Sequence, residues 1–578
     1  MKRIVLKVAG ESGMGLLSVG QIVSRTLKHM GYYVHSDREY PSLIKGGHSN
    51  VQIDFSLKPI HSLSTEVDLV IALDRAGLLE YLDIVKPGGV LVHGYERHHL
   101  IKDLEERAKK RKIKLLYLPA RHIAHELGGN ELMINMVLLG LMWRVLGFDL
   151  KHIEAPIKKQ FASKPKLLEI DLKCVRAGYE AKGLNIHEHK LPHPKTKPKT
   201  IMLDGNHALS LGAIQAGVRA YFAYPMSPSS SILMHLANYA HETGMVVKQA
   251  EDEITAVQMA VGSMFMGTRS LVGTSGGGFD LMTETVSLAG MIENPLVVVI
   301  CQRPGPGTGL PTWTSQGDLN LAIHAGHGEY ARMVIAASDP TSNYELIQHA
   351  LNYAEEFQIP VVFLSEKVVA ETQAMVEPFQ HKKIPIKRGL VTKPAELQKL
   401  TKSDRFKLTP SGVSYRWVPG SAPSGYYANS DEHHEDGTLT EEAQPCHEMY
   451  EKRLRKLKAI EKAMPEPVVY GKPKGAKISF VGWGSSKGVM LDAIDALKEA
   501  GIDVNYLHYD YLWPLKTKRL EKFFQENKNV HILEGNYLGQ LANLIEMHTN
   551  RRFTGRLLKW NGRPFFLEDV LNYVKKNS

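Results

Sequence analysis

Short continuous apolar runs alternate along the chain with segments whose apolar positions fall at helical spacing. Ile4–Gly10 (IVLKVAG), Asp68–Asp74, Gly89–Gly94 and Ile113–Pro119 read as strands. After the first of them, Leu16, Leu17, Val19, Ile22, Val23, Leu27 and Met30 keep the period of a helix. The middle of the chain repeats the pattern, with strands at Tyr221–Tyr224, Ser270–Gly273 and Leu296–Cys301. Helical segments run through Leu209–Val218, Ala256–Gly262 and Leu288–Met291. A last set opens with KISFVGWGSS (Lys477–Ser486) and continues through Val504–Leu515 and Asn529–Ile545. Strand–helix alternation predicts an α/β class, with a mostly parallel sheet in the first part. The apolar run Leu296–Cys301, between Pro295 and Pro304, suits a strand buried on both faces.

The pattern breaks twice. Asn185–Thr200 holds three prolines and four lysines without apolar periodicity and reads as a linker. Residues 381–474 hold Pro/Ser-Gly turns, the run DEHHEDG (Asp431–Gly437) and a basic stretch, Lys452–Lys462. That region is expected to be an extended connection with a charged surface loop and a basic helix with a solvated face. The breaks give domains at 1–184, 201–380 and 475–578, joined by 185–200 and 381–474.

Composition narrows the class. The chain has 578 residues, 43% hydrophobic and 23% charged, as in ordinary soluble globular proteins. The net charge of +10 is spread out and no nucleic-acid module accompanies it. Acidic small molecules and an acidic protein partner fit it equally well, and no nucleic-acid partner is expected. Leu132–Leu146 carries Asn135 and Arg144 and is shorter than the roughly 20 apolar residues of a membrane span. The basic start is followed by too short an apolar run for a signal segment. The expectation is a cytoplasmic protein with no membrane contact. Cys174, Cys301 and Cys446 are far apart, give no disulfide framework, and cannot supply the four thiolates of an iron–sulfur cluster. His433, His434, Cys446 and His447 match no standard zinc spacing, so no metal site is assigned.

Three features carry chemistry. Glu251, Asp252 and Glu253 precede a small-residue helix, where acidic groups complement the macrodipole. Thr274–Gly278 (TSGGG) follows a strand, and its glycines let backbone N–H groups approach a ligand. Arg303 follows the buried strand, opens a Pro/Gly-rich loop and suits a bidentate carboxylate clamp. Near the N-terminus, Gly10, Gly13 and Gly15 form a glycine turn ahead of a helix, an anion site without the dinucleotide spacing G-x-G-x-x-G. Ser229, with Ser230 beside it, suits a helix N-cap.

Four strings in order, Tyr224–Ser230 (YPMSPSS), Glu251–Ala256 (EDEITA), Thr274–Glu284 (TSGGGFDLMTE) and Gln302–Thr312 (QRPGPGTGLPT), closely resemble the α subunit of 2-oxoacid:ferredoxin oxidoreductases. Ala9–Gly15 (AGESGMG) and Glu39–Asn50 (EYPSLIKGGHSN) are similar to strings of the family's γ subunit. The resemblance covers nearly the whole chain. It implies a multidomain α/β protein: an N-terminal γ-type domain, a pyrimidine-binding thiamine diphosphate domain, and a C-terminal domain related to that of transketolase. The last carries Glu534–Tyr537 with Gly539 and Gln540 and is expected to pack and dimerise without catalysis.

The implied activity is CoA-dependent oxidative decarboxylation of a 2-oxoacid on thiamine diphosphate, with ferredoxin reduced, or the reverse carboxylation. Residue by residue, the resemblance makes Glu253 the acid against the aminopyrimidine ring, Thr274 and Ser275 cofactor contacts, and Arg303 and Ser227 substrate contacts. Ser227 stands where the family usually has threonine. Gly13, Gly15, Lys45, Gly46 and Gly47 become candidate CoA contacts, although Glu11 puts an anion where a phosphate would bind. Asp204-Gly205-Asn206 lacks the surroundings of the family's magnesium motif. A β subunit is therefore expected to carry the diphosphate site, Mg2+ and a 4Fe–4S cluster, in an α2β2 assembly that reduces ferredoxin. The substrate reading leans to 2-oxoglutarate, with pyruvate and branched-chain acids open. A non-catalytic scaffold of the same fold and a non-redox transketolase-like enzyme also remain open.

Overall fold

Two sets of strand–helix repeats build two units, each with its own sheet system, in the computed structural model. It describes residues 3–42, 47–95, 98–186, 189, 191–379 and 384–577, with 98–102 as backbone alone. One unit gathers Met1–Met202, Thr372–Pro378 and Phe566–Val570; the other gathers Leu203–Glu371, Phe379–Phe565 and Leu571–Ser578.

The first unit holds an eight-stranded sheet. Its order is Lys114–Tyr117, Val85–His93, Val67–Ala72, Ile4–Glu11, His48–Ser56, Tyr33–Glu39, Gln373–Val376 and Ile201–Leu203. Ile4–Glu11 runs parallel to Val67–Ala72 but antiparallel to His48–Ser56, and Tyr33–Glu39 and Gln373–Val376 continue antiparallel. The mostly parallel sheet expected from alternation is therefore mixed. The reason is local: the connection from Glu39 to His48 is too short for a crossover helix, so the two strands must reverse.

The apolar helix Ile134–Val145 is buried on nearly every face and crosses Pro165–Tyr179 at two glycines. A Cβ on Gly140 would meet Val175 O at 2.0 Å, and one on Gly178 would meet Val137 O at 1.8 Å, so only glycine allows the approach. No helix among the described residues is long and apolar enough to cross a membrane. Described residues of the segment expected as a linker pack along this unit, with Tyr32 Oη donating to Pro192 O (2.9 Å) and Ile186 and Leu191 against its core.

The second unit holds a seven-stranded sheet in the order Tyr511–Trp513, Met333–Ala336, Pro360–Glu366, Leu296–Gln302, Ser270–Thr274, Ala220–Ala223 and Val246–Gln249. All its pairings are parallel except the one with Tyr511–Trp513. Every residue of Leu296–Gln302 is buried, as an apolar run in a parallel sheet requires. A five-stranded sheet follows in the order Val468–Gly471, Val504–Tyr509, Ile478–Trp483, Val530–Glu534 and Gly555–Leu558. One apolar cluster joins the two sheets, with Val298, Ile300 and Val362 on one side and Val481, Trp483 and Ile532 on the other.

The region 381–474 departs from its expected character. It contains the helix Ala443–Ala463 of 21 residues, whose basic stretch is divided: Lys458 and Lys462 are exposed, but Lys452, Arg453 and Lys456 turn inward. Lys452 and Lys456 are buried against Glu293, and Arg453 is buried and paired with Glu432. Burial pushes Lys452 down to about 7, while the two lysines hold the Glu293 carboxyl well below the usual carboxylate range. The pattern alone shows the cations; it does not show that Glu293 waits beneath them. His433, expected on a charged surface loop, is buried against Phe406.

Candidate active site

The C-terminal ends of the parallel strands in the second unit bring the chemistry-bearing loops to one edge. Ala250 leads from Val246–Gln249 into the helix Glu253–Phe265. Asp252 is its N-cap, accepting from Thr255 N at 2.7 Å, and Glu251 lies outside it, exposed. Of the two acids expected to start the helix, Asp252 does so and Glu251 makes no cap. Glu253 is turned inward and buried, with Oε1 unpartnered among the described residues.

The strand Ser270–Thr274 delivers the TSGGG turn to the helix Gly276–Met291. Thr274 and Ser275 are fully buried. Thr274 Oγ1 faces Ser275 O at 3.4 Å and Met226 Sδ at 4.0 Å. Ser275 is the N-cap by position, yet its hydroxyl makes no cap bond and is unpartnered among the described residues. A side chain at Gly278 would fall on Thr274 Oγ1 and Glu253, and one at Gly276 would fall on Asp318. The glycines thus serve two purposes, opening the helix N-terminus and admitting two carboxyls.

Arg303 follows the strand Leu296–Gln302 and donates Nη1 to Ser227 O at 2.8 Å. Arg303 and Ser227 therefore meet, through the serine's carbonyl rather than its hydroxyl. Burial lowers the Arg303 pKa, opposed by the charge of Asp318. The serine turn is supported by Asn206, buried, whose Nδ2 donates to Pro228 O (2.9 Å) and Ser231 Oγ (2.8 Å). Asp204 beside it caps the helix Gly205–Gln215 through His207 N (2.8 Å), a structural task. Ser229, expected as an N-cap, occupies that position but donates its hydroxyl back to Met226 O at 2.7 Å.

Asp318 was not singled out in the sequence. Its Oδ2 is buried and unpartnered among the described residues, and Asp318 N donates to Gln302 Oε1 at 3.0 Å. Burial and the nearby Asp280 push its carboxyl up to about 7, against the pull of Arg303. The signal available was the string Thr314–Asp318 (TSQGD), which closes the arginine loop. Glu253 Oε1, Ser275 Oγ and Asp318 Oδ2 are three buried polar atoms around one glycine-rich helix start, a set that a polar cofactor or substrate would satisfy.

In the first unit, Gly13 (φ +103°) and Gly15 (φ +76°) adopt left-handed conformations that favour glycine. Gly15 precedes the helix Leu16–Met30, and a Cβ there would meet Asn135 Nδ2 at 2.4 Å. Gly47 is exposed and its carbonyl accepts from Ser12 N at 3.1 Å, so it adjoins the first glycine turn. Lys45 and Gly46 lie outside the described residues.

Known proteins share this domain organisation. Residues 211–452 match the thiamine diphosphate-binding domain of pyruvate flavodoxin/ferredoxin oxidoreductases, 5–181 a pyruvate ferredoxin/flavodoxin oxidoreductase domain, and 476–570 core domain II of pyruvate:ferredoxin oxidoreductase. Fold and site thus define an oxidoreductase chain of thiamine diphosphate-binding type. A 2-oxoacid:ferredoxin oxidoreductase α subunit from Sulfolobus is 31% identical over 100% of this chain and 97% of its own. The 2-oxoglutarate oxidoreductase subunit KorA of Mycobacterium tuberculosis is 28% identical over 94% of this chain and 87% of its own. A solved 2-oxoglutarate:ferredoxin oxidoreductase from Magnetococcus marinus, with 2-oxoglutarate, coenzyme A and succinyl-CoA bound, superposes with a TM-score of 0.92 over 100% of both chains at 27% identity. The chain belongs to the 2-oxoacid:ferredoxin oxidoreductase α-subunit family. As an α subunit it implies a β partner.

Proposed function

We propose that the chain is the catalytic α subunit of a CoA-dependent oxidoreductase that converts 2-oxoglutarate to succinyl-CoA and CO2 while reducing ferredoxin, or runs the reverse carboxylation. The observation that carries this reading is the inward-facing carboxyl of Glu253, buried with Oε1 unpartnered among the described residues beside the TSGGG helix. The 2-oxoglutarate preference rests on similarity to the Magnetococcus marinus enzyme. The expected β subunit carries the diphosphate site, Mg2+ and a 4Fe–4S cluster in an α2β2 assembly. Only three cysteines, far apart, are available here. A cytoplasmic setting is part of the same reading.

Bound thiamine diphosphate supplies the nucleophile and the temporary electron store for decarboxylation. Glu253 would hold a proton at Oε1 against the pyrimidine ring, in a setting that excludes water. Thr274 and Ser275 would orient the ring through their buried hydroxyls. Arg303 is held at Nη1 by Ser227 O and has further N–H groups for a substrate carboxylate. The Ser227 hydroxyl would contact the same substrate. Gly13, Gly15 and Gly47, with Lys45 and Gly46, would present backbone N–H groups and one cation to CoA.

The test uses the complex with its β subunit, assayed by CoA-dependent viologen reduction with 2-oxoglutarate, pyruvate and 2-oxoisovalerate. The highest kcat/KM is expected on 2-oxoglutarate, and a preference for another acid would overturn the substrate. Glu253→Gln is expected to cut turnover by about a hundredfold or more. A wild-type rate in that variant would refute the acid's role.

A further inference from the structure

The loop that opens with Arg303 and closes with Asp318 is held by residues of 483–563, the part expected only to pack. Gln316, 1% exposed, is the main latch. Its Nε2 donates to Glu366 Oε1 and to Trp483 O, both at 2.8 Å. Its Oε1 accepts from Gly535 N at 2.6 Å, its N–H donates to Gly535 O at 2.9 Å, and its carbonyl accepts from Asn536 Nδ2 at 3.0 Å. One glutamine thus binds the ends of three strands, Pro360–Glu366, Ile478–Trp483 and Val530–Glu534.

The fastening continues on both sides. Gln540 Nε2 donates to Gly317 O at 2.7 Å, and its Oε1 accepts from Asn320 N at 2.8 Å. Thr314 N donates to Gly562 O at 3.1 Å, and the Arg563 guanidinium lies 3.2 Å from the Trp313 ring centroid. From there the loop's own bonds lead back to the arginine: Trp313 N to Leu310 O (3.1 Å) and Leu310 N to Pro304 O (3.0 Å). The contacts thus run from Gly562 and Arg563, beyond the last strand, to Pro304, the residue next to Arg303.

We propose that the C-terminal lobe sets the position of the substrate-binding arginine and that Gln316 is the positioning residue through which it does so. This rests on the reading of Arg303 as the carboxylate clamp. A loop freed at its far end leaves Arg303 covalently intact but spread over more orientations, which weakens substrate binding more than the chemistry that follows.

The test compares Gln316→Leu, which keeps the volume and deletes the polar groups, with Gln316→Glu in the α–β complex. Gln316→Leu is expected to raise KM for the 2-oxoacid about tenfold, to leave kcat within about threefold and KM for CoA unchanged, and to speed hydrogen exchange across 303–318. Gln316→Glu is expected to recover part of the KM at pH 6, where a proton can bridge it to Glu366, and none at pH 8. Should Gln316→Leu not assemble, Gln540→Ala is expected to give a smaller change of the same kind. An unchanged 2-oxoacid KM, or kcat and both KM values worsening together, would overturn the proposal. Arg303→Ala separates the two readings. If it leaves the 2-oxoacid KM unchanged, the clamp fails, whereas faster loop exchange in Gln316→Leu reports the latch regardless.

Discussion

Glu253 Oε1 lies 2.8 Å from the point that a Cβ on Gly278 would occupy. The acid of one helix is therefore seated in the notch that the third TSGGG glycine leaves in the next.

Gly278→Ala fills that notch. Its methyl would also stand 2.1 Å from Thr274 Oγ1, inside any allowed contact. The variant is expected to lose about 1–3 kcal/mol of stability from overpacking. Its turnover should fall close to that of Glu253→Gln, because the carboxyl is displaced. Denaturation and viologen assays on one preparation check both; an active, fully stable variant would contradict the geometry.

The raised pKa of Asp318 makes a pH statement. Its folded-state value of about 7 exceeds the ordinary 3.8, so the folded chain binds the proton more tightly than the unfolded one. The contribution is therefore favourable at low pH, declines as pH rises from about 4 towards 7, and is constant above. Relative to Asp318→Asn, the wild type is expected to lose stability across that window and to stay parallel above it. Thermal melts of both proteins between pH 5 and 9 are the check.

Lys452→Met is expected to destabilise the second unit by about 3–5 kcal/mol, because Glu293 would lose one of its two buried lysine partners. Substituting Glu293 and Lys452 together by apolar residues should cost less than the sum of the single changes. A double-mutant cycle by urea unfolding measures this, and additivity would argue against the pairing.

Ser227→Ala isolates the hydroxyl. Arg303 bonds the serine's carbonyl, so the arginine keeps its anchor in the variant. The expected loss is about 1 kcal/mol, roughly fivefold in kcat/KM for the 2-oxoacid. A loss as large as that of Arg303→Ala would mean that the turn itself had moved.

Much of this was readable in order along the chain. The strands Ile4–Glu11, Ser270–Thr274 and Leu296–Gln302 fall where the apolar runs placed them, within a residue at their C-terminal ends. Asp252 could be assigned as a helix starter because capping is a local event between neighbours. The sheet directions in the first unit were less accessible, since they depend on a short connection forcing reversal. The basic helix was legible, but not its inward half, because burial of Lys452 and Lys456 depends on Glu293, more than 150 positions away.

By itself, the sequence determined the α/β class and the family, and it nominated Glu253, Thr274, Ser275, Ser227 and Arg303 as the candidate site residues. These follow from periodicity and from strings whose members are close in the chain. Only the tertiary structure decided that Glu253 points inward, that Asp318 joins it at the same helix start, and that Gln316 moors the arginine loop to residues 483–536. Such relations are made by strand ends converging from distant segments, where burial removes water and leaves each polar atom to whatever the fold has placed beside it.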